Sequence, residues 1–294
     1  MTFPAIAIHG STALRPVAGG PMDEGLLCPE RRSPKVGVLS TQARLVVEAA
    51  RRCLDGHERP AGEIIGLSLG TLCGANDIAE RSLRTAHATG IADVSASWYA
   101  TGLPNSTSGV AATMADLRGP NLTLLGYQAG LEAIIMACRM LRSGRARRML
   151  AGGFDVPGEG ETERLQQAPD FRSTRVLAGV GLLLLAPWTS GSSPLASVVG
   201  WSYGETADAD HDALIAAAVR QLRPATPVAL PTRHVLSPGG AELDYLAAAC
   251  PILLAQILTS AARGLHAFIV EGRGLRPVCL VIEIHADGRH GAAS

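Results

Sequence analysis

Short unbroken apolar runs alternate along the chain with stretches of helical periodicity, and this alternation constrains the fold more than any other feature. The apolar runs occupy residues 6–8, 64–69, 122–125 and 176–185. They lack period-two alternation, as is typical of strands buried on both faces. The helical stretches occupy residues 42–54, 76–87, 107–117 and 129–142. The pattern predicts an α/β fold in which helices cover a mainly parallel sheet.

The segment 187–194, rich in Pro and Ser, divides the chain into a longer and a shorter part. Beyond it the sequence predicts a strand at 197–201, a helix at 210–222, a long helix at 241–263 that is interrupted near Pro251, and strands at 267–271 and 278–284. We therefore expect an N-terminal half over residues 1–190 and a shortened C-terminal half of the same domain over residues 191–294.

Composition limits the partners of the chain. Hydrophobic residues make up 47% of the 294 residues and charged residues 18%, with a formal net charge of +0. Neither a nucleic-acid-binding surface nor a basic membrane patch is expected from this balance. No run reaches the roughly 18 apolar residues of a membrane span, and residues 1–10 lack the features of a signal peptide. We expect a cytoplasmic protein whose partners are small molecules, acyl chains or other proteins.

The most informative segment is residues 117–155. It contains a glycine–proline turn, a buried strand, a tight turn, a helix beginning near Ala129, and a second strand closed by two glycines. A strand that breaks sharply into a helix places the turn residue at the helix N-terminus, where free backbone N–H groups and the positive end of the dipole favour an anion. Gln128 occupies that position.

This segment resembles the turn that carries the nucleophilic cysteine in the β-ketoacyl synthases of the thiolase-like superfamily. The residues that match in order and spacing are Gly119, Pro120, Gly130, Gly144, Gly152 and Gly153. Further matches across residues 64–186 are Gly66, Gly70, Thr71, Leu103, Pro104, Asn105, Gly109, Gly179, Val180 and Gly181. The resemblance implies a thiolase-like layered α/β/α/β/α fold with a shortened second half.

Gln128 stands where the family has its cysteine, and the sequence Gln128-Ala129-Gly130 resembles the hallmark of chain length factors. That resemblance implies a non-condensing subunit that forms a heterodimer with a catalytic ketosynthase and acts on chains held by an acyl carrier protein. Condensation needs a thiolate to hold the acyl chain, and an amide nitrogen cannot do this. We expect Cys138 and Cys73 to be buried hydrophobic residues rather than substitutes.

The histidines and cysteines point to neither a full catalytic set nor a metal site. The family's enzymes use two histidines from the second half, one in a His-Gly-Thr-Gly-Thr motif that this sequence lacks. His234 is the one candidate in a suitable region, and we expect it to be a loop histidine. The other histidines have no spacing that suggests catalysis, and the six cysteines form no Cys-x-x-Cys pair. We expect no metal and no cofactor.

The resemblance also implies an interface and a wall of the acyl tunnel. It places residues 121–125 at the dimer interface. The candidates for the tunnel wall and interface are Trp98, Tyr99, Leu103, Asn105 and Ser106. Bulky residues in this segment are equally consistent with ordinary core packing.

Two other functions stay open on the sequence alone. Loading ketosynthases also carry glutamine at this position and decarboxylate malonyl thioesters, so the chain could be a malonyl-carrier-protein decarboxylase that uses Gln128; the absent histidines count against this. Gln128 could also merely fill a vacated site and hydrogen-bond the free N–H groups of the helix, without supporting decarboxylation. The second alternative function is a degenerate structural homodimer without substrate contact.

Overall fold

The computed structural model describes residues 5–16, 22–60, 62–189, 192–221, 231–238, 240, 243–260, 263–272 and 274–285. The side chains of Asp77, Tyr99, Ala100 and Leu243 lie outside the described part. Within the described residues the strands are β1 (Ile6–Leu14), β2 (Arg32–Ser33), β3 (Gly37–Val38), β4 (Ile65–Thr71), β5 (Asn121–Leu125), β6 (Arg148–Asp155), β7 (Arg175–Val176), β8 (Gly179–Pro187), β9 (Ala196–Tyr203), β10 (Thr232–Leu236), β11 (Leu243–Asp244), β12 (Gly264–Gly272) and β13 (Leu275–Ile284). The helices are α1 (Thr41–Leu54), α2 (Asn76–Thr89), α3 (Ala96–Thr101), α4 (Ser106–Met114), α5 (Ala129–Arg142), α6 (Glu159–Gln167), α7 (His211–Arg220) and α8 (Ala249–Thr259).

Nine of these strands form one sheet in the order β10-β12-β13-β9-β1-β8-β6-β4-β5. Only three neighbouring pairs are parallel, namely β4 with β5, β4 with β6, and β10 with β12. The remaining neighbours are antiparallel. The expectation of a mainly parallel sheet is therefore wrong. An unbroken apolar run indicates only that both faces of a strand are covered, and it does not fix the direction of the neighbouring strand.

Helices cover the sheet in layers. α1 and α4 pack on one face of the strands β1, β4, β5, β6 and β8, and α7 packs on β9 and β13. Between these two parts lie α5 and α8, whose side chains share one core with both. β13 shows the arrangement clearly, because Leu280 and Ile282 join the central core while Cys279 and Val281 face α7. The architecture is the layered α/β/α/β/α arrangement expected of a thiolase-like fold.

The second half departs from its predicted elements in two places. The predicted helix at 241–263 is replaced by β11, a 3-10 turn at Leu246–Ala248, and α8. Pro251 does not interrupt α8, since it lies in the first turn, where a proline removes no helical hydrogen bond. β10 has no counterpart in the sequence prediction. The division of the chain at residue 190 stays a prediction.

Two glycines allow the elements around α5 to approach closely. A Cβ atom on Gly70 would collide with the backbone of Ala129, at the first residue of α5. A Cβ atom on Gly130 would collide with the carbonyl oxygen of Ala247, in the 3-10 turn before α8. β4, α5 and this turn therefore meet at the N-terminus of α5. Among the described residues, no helix combines the length and the apolar character needed to cross a bilayer.

Candidate functional site

The turn between β5 and α5 presents Gln128 as the residue before the helix. Gly126 has a positive φ of 137°, which favours glycine, and its N–H donates to the carbonyl of Thr71 at 3.0 Å. The carbonyl of Gln128 accepts from the N–H groups of Leu131 and Glu132, so α5 begins at Ala129. The start and the end of this helix agree with the sequence prediction.

The side chain of Gln128 points across to the second half of the chain and is only 7% exposed. Its Nε2 donates to the carbonyl oxygens of Val270 on β12 and Arg276 on β13, each at 2.9 Å. A primary amide has two N–H donors, and both are used here. The side chain makes no hydrogen bond to the N-terminus of its own helix, so the expectation that it satisfies those N–H groups is wrong. Two carbonyl acceptors are available and match its donors.

A buried carboxylate lies close to this turn at the end of β6. Asp155 is fully buried and accepts hydrogen bonds from the Thr71 hydroxyl at 2.7 Å, from the N–H of Cys73 at 2.8 Å and from the N–H of Ala247 at 2.9 Å. Burial raises the pKa of Asp155 to about 7, although these donors act in the opposite direction. The carboxylate connects the loop after β4 with the turn before α8.

A second buried contact joins the same parts of the chain. Tyr127, next to Gln128, donates its hydroxyl to Asp244 Oδ2 at 3.1 Å, and Asp244 Oδ1 accepts from the N–H of Leu246 at 2.7 Å. Burial and the neighbouring Asp244 raise the pKa of Tyr127, so its hydroxyl stays protonated at neutral pH. Tyr127 and Gln128 thus both anchor the start of α5 to the second half.

None of the cysteines has the features of a nucleophile. All six are buried, and burial raises the pKa of each thiol. A catalytic cysteine needs the opposite shift, which gives a thiolate at neutral pH. Cys138 lies on the core side of α5 and Cys73 in the same central core, as the sequence suggested.

His234 lies on the edge strand β10, not in a loop, so that expectation is wrong. Its Nε2 is 3.1 Å from Nδ1 of His266 on β12, and its ring stacks on Phe268 with centroids 4.8 Å apart. Burial, followed by the neighbouring His266, lowers the pKa of His234. No sequence pattern predicts a partner for either histidine. The contact of 2.8 Å between His211 and Glu271 likewise has no signal in the sequence.

The candidate wall residues lie on α3, on the connection that follows it and at the start of α4. Trp98, on α3, lies beneath the guanidinium of Arg81. Leu103 is 45% exposed on the connection between α3 and α4, and Asn105 is also exposed. Ser106 donates its hydroxyl to the carbonyl of Thr101 at 2.5 Å. The side chain of Tyr99 lies outside the described part.

The strand before Gln128 forms one end of the sheet. β5 pairs with β4 on one side and has no neighbour on the other within the described residues. Leu125 is 59% exposed at the end of this strand. An open edge with an exposed leucine is available for pairing with another chain.

Several residues near Gln128 were not identified from the sequence, namely Tyr127, Asp155, Asp244, Val270 and Arg276. Their roles depend on contacts between distant segments, and no local pattern marks them. Tyr127 could have been singled out only as the residue next to the turn. The described residues contain no cluster of three His, Cys, Asp or Glu side chains arranged to hold a metal ion.

Part of the chain is similar in sequence to a known protein family. The family model for the N-terminal domain of β-ketoacyl synthase matches residues 30–173, which include β4, β5, α5 and β6. No curated protein matches the sequence closely enough to count as a relative.

Solved structures share the fold along nearly the whole chain. The ishigamide ketosynthase/chain length factor superposes with a TM-score of 0.76 at 22% identity, covering 95% of this chain and 99% of that chain. A type II polyketide synthase acyl-carrier protein in complex with its ketosynthase bound to the hexaketide gives a TM-score of 0.73 at 14% identity, covering 97% of this chain and 100% of that chain.

A β-ketoacyl synthase from Burkholderia phymatum STM815 gives a TM-score of 0.68 at 14% identity, covering 96% of this chain and 100% of that chain. At these identities the likeness establishes the fold. Residues 30–173 resemble the N-terminal domain of the β-ketoacyl synthases, and the chain as a whole has the thiolase-like fold of the ketosynthases.

Proposed function

We propose that this chain is a non-condensing subunit, similar to a chain length factor, that pairs with a catalytic ketosynthase and shapes its acyl tunnel. The observation that carries the proposal is the environment of Gln128. The residue stands at the strand-to-helix turn, both of its amide donors bind the carbonyls of Val270 and Arg276, and it has no nucleophilic chemistry. The turn is occupied by a side chain that stabilises the fold.

The thiols of the chain support the same conclusion. Each cysteine is buried with a raised pKa, so none of them offers the thiolate that an acyl chain would need. A ketosynthase reaction that involves this chain therefore requires a nucleophile from another subunit. The structural likeness to a ketosynthase/chain length factor and to a ketosynthase bound to its carrier protein supports polyketide assembly as the setting.

The open edge of β5 supports pairing with another chain. Thr123, in the middle of β5, shares a hydrogen bond of 2.7 Å with Ser108 on α4, so the strand is held in place before any partner binds. Leu125 and Leu103 present exposed apolar surface on β5 and on the connection that precedes α4. We infer that the edge of β5 meets the equivalent strand of the ketosynthase.

In this proposal, Leu103 closes the partner's tunnel from the interface. Its exposure in the single chain is what a residue completing another subunit's pocket would show, because such a residue is covered only in the complex. Trp98 contributes less than the sequence suggested, since its ring is engaged by Arg81. Asn105 and Ser106 are the neighbouring candidates.

The decarboxylase alternative has less support. Catalysis of that kind would require the Gln128 amide to donate to a thioester carbonyl in the transition state. Both donors are already used, so such a role would require breaking a buried hydrogen bond.

Reconstitution with malonyl carrier protein separates these functions. We would incubate the chain alone, a catalytic ketosynthase alone and the two together, and follow the carrier-bound products by mass spectrometry. The proposal expects no acetyl carrier protein from the chain alone and elongated chains of defined length from the pair. Acetyl carrier protein formed by the chain alone would establish the decarboxylase instead. Identical products from the ketosynthase with and without the chain would favour the structural homodimer.

A further inference from the structure

A cleft of about 480 Å³ lies between the hairpin β2–β3, the beginning of α1, and helices α2 and α3. We refer to it as the Trp98 cleft, because Trp98 forms one of its walls. None of the residues that hydrogen-bond the Gln128 side chain lines it. Its size lies in the range of small-molecule sites.

The Trp98 cleft carries positive charge that no carboxylate of the described residues offsets. Arg32 and Arg81 line it, and none of its described lining residues is acidic. Within the described part of the chain, neither arginine forms an ion pair with a carboxylate. Nearby arginines differ, since Arg84 pairs with Glu80 and Arg51 with Glu30. Two guanidinium groups on one cleft, neither paired with a carboxylate of the described residues, are suited to binding an anion.

Trp98 holds one of these guanidinium groups in position. The guanidinium carbon of Arg81 lies 4.5 Å from the centre of the Trp98 ring. Such stacking orders the arginine without using its N–H donors, and the Arg81 side chain donates no hydrogen bond to another described residue. The donors are therefore available to a ligand at little further cost in side-chain entropy.

The remaining walls of the cleft are partly apolar. Val36 and Val38, from the hairpin, and Ile78, from α2, line it together with the indole. An inorganic anion would leave this surface in contact with water. A ligand with an aliphatic part would cover it and gain hydrophobic free energy.

We propose that the Trp98 cleft binds a small amphipathic carboxylate, with Arg81 and Arg32 on the carboxylate and the apolar wall on its aliphatic chain. This site is independent of the Gln128 turn and of the β5 edge. Its existence can therefore be tested whether or not the chain pairs with a ketosynthase.

Isothermal titration calorimetry with sodium octanoate tests the proposal. We expect saturable binding at one site, weakened about tenfold or more by either Arg81→Ala or Arg32→Ala, because each removes charge-assisted hydrogen bonds. Both arginines are exposed, so neither substitution should unfold the chain. Arg84→Ala is the matched control, since it removes an arginine one turn along α2 that already has a carboxylate partner, and binding should be unchanged.

The ligand class is tested by two further titrations. Octanol lacks the carboxylate and inorganic phosphate lacks the aliphatic chain, so each should bind at least about tenfold more weakly than octanoate. The proposal is overturned if octanoate does not bind, if octanol binds equally well, or if both arginine variants bind like the unmodified chain. Phosphate binding that equals octanoate binding would show a simple anion site and would also contradict it.

Discussion

The side-chain amide of Gln128 donates to the backbone carbonyl of Val270 at 2.9 Å, and the two residues are 142 positions apart in the chain. This contact ties the N-terminus of α5 to a strand of the second half. Gln128 therefore has a structural role of its own.

Removing the Gln128 side chain should reduce stability without changing the products of a complex. Gln128→Ala leaves the Val270 and Arg276 carbonyls without their donor, and we expect a loss of about 1 to 3 kcal/mol in the free energy of unfolding. Urea denaturation measures the loss, and mass spectrometry of carrier-bound chains measures the products.

Gln128→Glu is the isosteric control for that experiment. At neutral pH this substitution places a charged carboxylate next to two carbonyl oxygens. It should therefore destabilise the chain more than Gln128→Ala does. Protonation restores one donor, and the difference should shrink on acidification. If Gln128→Ala instead abolishes chain initiation and an acetyl primer restores it, the residue supports decarboxylation.

The stability of the chain should depend on the titration of Asp155. Its folded-state pKa is raised to about 7 from 3.8, so folding disfavours the charged form. The contribution of Asp155 to the free energy of unfolding is therefore fully present below about pH 4, and it is lost as the pH rises toward 7. Denaturation at several pH values should therefore show Asp155→Asn with a flatter profile over this window. Parallel profiles for the two proteins would contradict the assignment.

The thiols should be inert in the folded chain. Because burial raises the pKa of all six cysteines, a disulfide reagent at pH 8 should label none of them within minutes, and all six after unfolding in urea. A single rapidly labelled thiol, lost on Cys73→Ser, would show an accessible thiolate and would argue against a non-condensing subunit.

Leu103 should influence chain length in a complex with a ketosynthase. In the proposed complex Leu103 closes the tunnel, so Leu103→Ala should open space there, and products should become longer while the rate per condensation stays similar. Val235→Ala is the control, because Val235 is 48% exposed on β10, at the opposite end of the sheet from β5. If Leu103→Ala leaves the length distribution of the products unchanged in an intact complex, Leu103 does not control chain length.

Local sequence patterns were sufficient for the central elements and insufficient for their contacts. The start of α5 at Ala129 follows from an apolar stripe and a preceding strand, both of which are continuous in sequence. β10 was missed because an edge strand of mixed polarity has no apolar run, and His234 was consequently expected in a loop. The acceptors of Gln128 are backbone carbonyls 142 and 148 residues away, and carbonyls carry no sequence signal.

The mass of the assembly formed on co-expression with a catalytic ketosynthase tests the central claim most directly. We expect light scattering to show a one-to-one heterodimer. Leu125→Arg on the β5 edge should disrupt it, whereas Val235→Arg on the opposite edge should not. A stable monomer, or a homodimer that does not bind the ketosynthase, would contradict the proposed pairing.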